Sequence, residues 1–205
     1  MVKYLIFDFD GTIADTFKIV EKFALALAER YGVKMDSAEA KRIGLKQALE
    51  KVKFPMWKLP SALLEIKKAI NQGIKEEVTL FDGMRTVLEQ LRKEYNLAIL
   101  SSNSRENIVC FLERNQIHNL FSFVHSDSSL FGKHVVLKRL CKSHGFTPEE
   151  MVYIGDEDRD IQAAKHLKVP VIAVSWGYND LELLRKEGPD YLVDSPEEIL
   201  AVLMR

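Results

Sequence analysis

The feature that most constrains the fold is an apolar run near the start of the chain that ends in two carboxylates and a glycine. Residues 2–7 are rich in β-branched and aromatic side chains and nearly free of charge. This pattern predicts a strand buried on both faces of a parallel sheet. Asp8 and Asp10 follow, and strand alternation would turn both carboxylates to one side. Ligands bind beyond the carboxyl ends of such strands, so we expect chemistry here.

Asp8 and Asp10 together favour a cation-dependent site. Two neighbouring acids repel each other and are usually tolerated because a cation lies between them or because one of them holds a proton. Hard divalent cations take oxygen ligands, and a carboxylate can also act as a nucleophile. Gly11 permits a tight turn, and Thr12 offers an amide and a hydroxyl to a bound phosphate. The alternative for these residues is a polar exit from strand to loop.

The segment Asp8-Phe9-Asp10-Gly11-Thr12 resembles the first motif of the haloacid dehalogenase-like hydrolases, most of which are phosphatases. The resemblance implies a Rossmann-like core and a magnesium-dependent site. Three further motifs should then follow in a fixed order along the chain.

Composition predicts an ordinary globular protein. A chain of 205 residues with 47% apolar side chains suits one domain, or one domain with a modest insertion. The net charge of −1 argues against a nucleic-acid or membrane-surface partner. Residues 16–79 hold 13 Lys and Arg against 8 Asp and Glu, net +5, which leaves −6 for the remainder. A basic segment and an acidic remainder would suit an anionic substrate, although solvated surface lysines are the simpler explanation.

Cysteine usage and the first residues favour a cytoplasmic location. Cys110 and Cys141 lie in helical stretches without close-spaced partners, so neither a disulfide framework nor a zinc site is predicted. Met1 leads straight into the first strand, and no apolar run approaches the length of a membrane span. Whether the protein is a monomer or a dimer stays open.

The order of predicted elements divides the chain in two. Residues 16–79 show only helical periodicity, with a helix ending at Gly32, a helical stretch over 36–54, and a helix from Ser61 to Gln72 stopped by Gly73. From residue 80 onward, strands and helices alternate, which implies βαβ crossovers and a parallel sheet. We therefore expect an α/β fold: a doubly wound core from 1–15 and 80–205, with a helical insertion at 16–79. The family resemblance implies that the insertion is a cap that closes over the active site.

The end of the predicted strand Leu97–Leu100 supplies the second candidate motif. Ser101, Ser102 and Asn103 follow it, and a hydroxyl from Ser101 with the next backbone amide could hold phosphoryl oxygens. The position matches the second motif of the family. By itself, Ser-Ser-Asn is also a common helix N-cap.

A lysine at a predicted helix start fits the third motif. Gly132-Lys133 opens the helix, and a lysine there could neutralise the nucleophilic carboxylate and the phosphoryl group. Family members often have proline after this lysine, whereas His134 follows here. Lys138 is a rival, and single lysines are commonly just solvated.

The fourth motif follows the predicted strand Met151–Ile154. Gly155-Asp156 and Asp160 match the family pattern of Gly-Asp with a second aspartate four residues later. The resemblance implies that Asp156 supplies a metal oxygen and that Asp160 steadies Lys133 or a metal-bound water. An acidic loop without a metal is the alternative.

Residues 174–178, in which Trp176 is expected to pack in the core or a loop, and residues 190–196 resemble segments of the phosphoglycolate phosphatase-like branch of the family. The four motifs occur in the family's order, each at a predicted strand end or helix start. They imply a Mg²⁺-dependent phosphatase in which Asp8 attacks phosphorus, Asp10 acts as acid and then base, and Asp8, the Asp10 carbonyl and Asp156 hold the metal. The substrate would be a small phosphorylated metabolite. The predicted cap contacts for its non-reacting end are Lys41, Arg42 and Lys46.

Two other functions remain open at this level. A phosphosugar mutase would use the same four motifs and return the phosphoryl group to a bound sugar. A non-catalytic binding protein could share the fold, but such proteins usually lose an aspartate, and all four aspartates are present.

Overall fold

The first strand lies in the middle of a parallel sheet. The computed structural model describes residues 1–127 and 132–204, apart from the side chains of residues 41–44 and 46. In this described part, six strands form one sheet in the order β3-β2-β1-β4-β5-β6. They are β1 (Tyr4–Phe7), β2 (Asn96–Ser101), β3 (Phe121–Ser126), β4 (Met151–Gly155), β5 (Val171–Val174) and β6 (Tyr191–Val193). The predicted α/β doubly wound sheet is confirmed.

Register aligns the ends of the three central strands. Phe7 pairs with Ile99 of β2 on one side and with Ile154 of β4 on the other, in parallel ladders. The residues that follow, Asp8, Ser101 and Asp156, therefore emerge at the same edge of the sheet. The strand order reverses at β1, and such switch points are where open α/β sheets bind ligands.

Residues 16–78 fold as a separate helical unit. Contacts divide the chain into Met1–Asp15 with Thr79–Arg205, and Thr16–Val78. The helices of the second unit are α1 (Phe17–Arg30), α2 (Ser37–Lys51) and α3 (Leu59–Glu76), with a 3₁₀ turn at Met56–Lys58. The chain leaves and re-enters the first unit at adjacent points. The Asp15 N–H donates a hydrogen bond to the Thr79 carbonyl at 3.0 Å.

One predicted helix end is wrong. Gly73 was expected to stop the third helix, but α3 continues to Glu76. A β-carbon at Gly73 would lie 2.2 Å from Cδ1 of Ile19 in α1. The glycine therefore allows two helices to approach closely, and tertiary packing outweighs its low helix propensity.

The helices of the first unit connect the strands and pack on the sheet. They are α4 (Met84–Leu91), α5 (Arg105–Arg114), α6 (Lys133–His144), α7 (Asp158–His166), α8 (Leu181–Glu187) and α9 (Pro196–Leu203), with 3₁₀ turns at His118–Leu120 and Pro148–Glu150. One face of the sheet, including Ile6, Ala98 and Tyr153, packs on Leu137 of α6 and Ile161 of α7. Burial of this apolar surface is the main force holding these helices in place.

Element bounds agree with the sequence prediction to within a few residues. The first strand begins at Tyr4 rather than Val2 because Val2 and Lys3 precede the ladder. The helix expected from Asp160 begins at Asp158, where Glu157 and Asp160 form a reciprocal capping box. Cys110 and Cys141 are free thiols. Within the described ranges, no helix combines the length and apolar character needed to cross a membrane.

Gly155 is a position in the first unit at which the packing leaves no room for an added methyl group. A β-carbon there would lie 2.4 Å from Oδ2 of Asp160 and 2.9 Å from its Cβ. We expect Gly155→Ala to lower the free energy of unfolding by about 1–3 kcal/mol through overpacking. Denaturant unfolding followed by circular dichroism measures this change.

Gly145→Asn is the matched control. Gly145 ends α6 in the left-handed region, and no described atom lies within 4 Å of a β-carbon built there. Asparagine tolerates this backbone conformation, so the control should lose much less stability. Equal losses for the two variants would contradict the packing argument.

Candidate active site

Residues from several elements meet at the carboxyl edge of the sheet. Asp8 follows β1, Ser101 ends β2, and Asp156 follows β4; their exposed fractions are 3%, 1% and 0%. Lys133 is the first residue of α6 and Asp160 lies in the first turn of α7. The structure thus brings the predicted polar residues of the core together in a largely buried cluster.

Lys133 joins two of the aspartates. Its ammonium lies 2.6 Å from Oδ2 of Asp8 and also contacts Oδ1 of Asp160. Burial would lower the pKa of Lys133, but the charges of Asp160 and Asp8 outweigh it and raise that pKa well above its usual value. Lys133 is therefore a fixed positive charge. Lys138, the rival in sequence, is exposed on α6.

Three buried carboxylates converge beside this lysine. Oxygens of Asp8, Asp156 and Asp160 all lie within 4.8 Å of one another. Burial raises the pKa of Asp8 to about 6, against the lowering effect of Lys133, and burial with the charge of Asp8 raises the pKa of Asp156 well above its usual range. The cluster is short of positive charge, and its all-oxygen donor set fits a hard divalent cation such as Mg²⁺.

Asp156 is held by the loop that follows β1 and by the loop that follows β5. Its Oδ1 accepts a hydrogen bond from the Thr12 hydroxyl at 2.8 Å, and its Oδ2 accepts one from the Tyr178 N–H at 2.7 Å. Side chains at Gly11 and Gly177 would collide with Asp156, since a β-carbon would lie 2.3 Å from its Oδ2 at Gly11 and 2.2 Å from it at Gly177. Both glycines permit the backbone to pack directly on this carboxylate.

The Asp10 side chain has a different environment from that of Asp8. Both Asp10 oxygens accept hydrogen bonds from Nδ2 of Asn103, at 3.1 and 3.0 Å. Phe9, between the two aspartates, is fully buried with its ring edge-on to Phe111. Asp8 thus faces an ammonium, whereas Asp10 faces a neutral amide.

Ser101 lies beside this pair and does not cap the next helix. Its hydroxyl oxygen accepts a hydrogen bond from the Asn103 N–H at 3.0 Å, so the hydroxyl hydrogen stays available for a ligand. The N-cap of α5 is Ser104, whose side chain accepts from the Asn107 N–H. Ser102 is exposed. The N-cap that was the alternative role for Ser101, Ser102 or Asn103 is therefore taken by the next residue, Ser104.

Sequence reasoning missed three residues of the site. Asn103 was predicted only as part of a polar strand end, Trp176 was expected to pack, and Tyr178 was expected to be structural. Trp176 does pack near Phe81, but its indole N–H also donates to the Thr12 carbonyl at 3.2 Å. The available signal was position, because Trp176 and Tyr178 follow β5 at the same sheet edge.

The predicted cap contacts cannot be placed in the site. The side chains of Lys41, Arg42 and Lys46 lie outside the described residues. They belong to α2 of the helical unit.

Comparison with known proteins agrees with the geometry of the core. The profile of the haloacid dehalogenase-like hydrolases matches residues 5–174. A phosphoglycolate phosphatase from Synechococcus elongatus is 33% identical over 201 residues, which cover 96% of this chain and 94% of the relative. Pyrophosphatase PpaX from Oceanobacillus iheyensis is 22% identical, with 98% and 97% covered.

Solved structures show the same fold. A haloacid dehalogenase-like family hydrolase from Streptococcus pneumoniae superposes with a TM-score of 0.79 at 23% identity, covering 98% of each chain. The chain therefore belongs to the haloacid dehalogenase-like hydrolases, in their phosphoglycolate phosphatase-like branch, and is a phosphoric monoester hydrolase.

Proposed function

We propose that the protein is a Mg²⁺-dependent phosphatase that hydrolyses a small phosphomonoester through an aspartyl-phosphate on Asp8. The observation that carries this proposal is the contact of the Lys133 ammonium with Asp8, beside two further buried carboxylates. A buried cation paired with a buried carboxylate at the end of a central strand suits a nucleophile that must meet an anionic substrate.

Asp8 is the proposed nucleophile because both of its oxygens are oriented. Oδ1 accepts a hydrogen bond from the Phe9 N–H at 2.7 Å, and Oδ2 accepts from Lys133. In the first step a carboxylate oxygen of Asp8 forms a bond to phosphorus while the bond to the leaving oxygen breaks. In the second step water attacks the phosphorus, and the Asp8 carboxylate is released with inorganic phosphate.

Asp10 is the proposed general acid and then base. It lies two residues beyond the nucleophile, is partly buried, and accepts hydrogen bonds from Asn103 on both of its side-chain oxygens. Asp10 would protonate the leaving alkoxide and then take a proton from the attacking water. Such proton transfers contribute typically about 10²- to 10⁴-fold in rate.

Ser101, Ser102 and Lys133 are the proposed ligands of the transferring phosphoryl group. The Ser101 hydroxyl, the Ser102 amide and the Lys133 ammonium would share its charge, with Gly11 and Thr12 lining the turn after Asp8. Asp160 also contacts the Lys133 ammonium and helps to hold it in place. Fixed donors of this kind stabilise developing charge without reorganisation.

Mg²⁺ would be held by Asp8, the Asp10 carbonyl and Asp156, where it would reduce the repulsion between the anionic nucleophile and an anionic substrate. The support from this chain is the excess of buried carboxylates over the positive charge of Lys133.

The relatives and the charge distribution support a proposal for the substrate class. We propose a small phosphorylated acid, with phosphoglycolate as the first candidate, because a relative of that activity matches nearly the whole chain. We also propose that residues 16–79 act as the cap that selects the substrate. Their net charge of +5 suits an anionic substrate, and Lys41, Arg42 and Lys46 remain the proposed contacts.

Phosphate release from a substrate panel tests the proposed function. The panel contains phosphoglycolate, pyrophosphate, a hexose phosphate and p-nitrophenyl phosphate, assayed with Mg²⁺ and with a chelator. We expect turnover only by metal-loaded wild type, and a loss of at least about 10³-fold for Asp8→Asn, which lacks the nucleophile. Full activity of Asp8→Asn, or of wild type with the chelator, would contradict the mechanism.

The two candidate lysines can be separated by substitution. Lys133→Ala should lower kcat by at least about 10²-fold, because the charge facing the phosphoryl group is lost. Lys138→Ala removes an exposed lysine five residues along α6 and should leave kcat within about twofold. Thermal melts must accompany the kinetics, since breaking a buried pair costs about 3–5 kcal/mol. The reverse pattern of activities would assign the role to Lys138.

Metal affinity should depend on pH in a defined direction. The pKa of Asp8 is raised to about 6, so Asp8 is largely protonated below that pH, and a cation must displace the proton. Mg²⁺ affinity should therefore weaken as pH falls through about 6, with protons released on binding. Isothermal titration calorimetry in buffers of different ionisation enthalpy measures both quantities. Constant affinity from about pH 5 to 8 would contradict this.

A further inference from the structure

The amide of Asn103 is placed against both oxygens of Asp10. Nδ2 lies 3.1 and 3.0 Å from the two carboxylate oxygens. A contact to both oxygens restrains the rotation of the carboxylate as well as its position. A single hydrogen bond to one oxygen would restrain that rotation less.

The orientation of this amide is determined by its other contacts. Oδ1 of Asn103 accepts hydrogen bonds from the Ser104 N–H at 2.8 Å and from Nδ2 of Asn107 at 2.9 Å. If the amide were flipped, its NH₂ group would face these donors and its oxygen would face a carboxylate. The amide nitrogen must therefore point to Asp10.

The backbone of Asn103 is fixed at both of its polar groups. Its N–H donates to Oγ of Ser101 at 3.0 Å, and its carbonyl accepts from the Ser126 hydroxyl at the end of β3. Asn107, which orients the side chain, lies in the first turn of α5 and is 4% exposed. Every polar group of Asn103 is thus engaged, so the amide is a preorganised donor.

We propose that Asn103 is a positioning residue for Asp10, and that Asn107 holds Asn103 in the orientation this requires. The proposal rests on the proposed acid and base role of Asp10. Asn103 fixes the plane of the Asp10 carboxylate, so that the oxygen that delivers the proton starts from one orientation toward the leaving group. Misplacement of a reacting group by about 1 Å can cost about 10²-fold in rate.

The two aspartates are positioned by donors of different charge. Asp8 receives an ammonium that also contacts Asp160, whereas Asp10 receives the neutral amide of Asn103. The contact from Asn103 therefore restrains the direction of the Asp10 carboxylate without itself adding a positive charge.

The kinetic test compares Asn103→Ala with wild type on phenyl phosphate and on p-nitrophenyl phosphate. Phenolate is the poorer leaving group and depends more on protonation by Asp10. We expect kcat/KM with phenyl phosphate to fall about 10- to 100-fold, and kcat/KM with p-nitrophenyl phosphate to fall clearly less. The ratio kcat/KM is compared because it reports the steps up to release of the leaving group, whereas kcat also contains the hydrolysis of the aspartyl-phosphate that both substrates share. Equal losses for the two substrates would overturn the proposal.

A double-mutant cycle shows whether Asn103 acts through Asp10. In an Asp10→Asn background, Asn103→Ala should change kcat by less than about twofold, since there is no acid left to position. If the losses in kcat of the two single variants instead multiply in the double variant, the positioning role is overturned. Normal turnover by Asp10→Asn alone would instead overturn the proposed role of Asp10. Slow turnover by Asp10→Asn together with wild-type turnover by Asn103→Ala would overturn only the inference about Asn103.

Two further variants separate positioning from folding. Asn107→Ala leaves the Asn103 amide in place but removes one of its two holders, so it should show the same dependence on the leaving group with a smaller loss, about 3- to 10-fold. Asn119→Ala is the matched control on an exposed site of the same unit and should leave kcat unchanged. Thermal melts monitor folding. If Asn107→Ala melts like wild type and keeps wild-type kcat on both substrates, its part in the proposal is overturned.

Discussion

The ion pair between Lys133 and the two aspartates Asp8 and Asp160 is the interaction on which the rest of the structure depends. A buried ammonium is costly unless it is paired and hydrogen-bonded, and losing one partner leaves an uncompensated charge. This requirement ties the end of β1 to the first residue of α6 and the first turn of α7. The same contact that satisfies a buried charge also sets the position of the proposed nucleophile.

The sheet explains why these groups can meet at all. Placing β1 between β2 and β4, all parallel and in register, brings three strand ends to one edge. The loop after β5 then closes on Asp156 through the Tyr178 N–H, which is possible because Gly11 and Gly177 carry no side chains to intervene. Local sequence, topology and close packing therefore contribute at different levels to a single cluster of polar groups.

The fold and most of the site could be predicted because their signals are local. Asp8 follows an apolar strand, and Gly155-Asp156 follows another apolar run. In both places the change from apolar to polar residues predicts a site at a strand end. Asn103 could not be found this way, because its role depends on an amide orientation set by Ser104 and Asn107 and on a partner 93 residues away. The predicted helix end at Gly73 was wrong for a similar reason, since the contact of Gly73 with Ile19 is tertiary. Substrate choice stays a proposal because one fold hosts many substrates.

The hydrogen bond between Asp15 and Thr79 has a consequence for how such a protein can change over evolution. The chain leaves and rejoins the first unit at residues one hydrogen bond apart, and Ala14 and Leu80 form an antiparallel bridge just inside that point. Because its two ends are adjacent, the segment between these residues is connected to the first unit in the same way as the loop of a hairpin is connected to its strands. Insertions at such closed points are tolerated because few core contacts depend on their length. The segment in between can thus be lengthened, shortened or exchanged as a module, while the carboxylates at the strand ends keep their geometry.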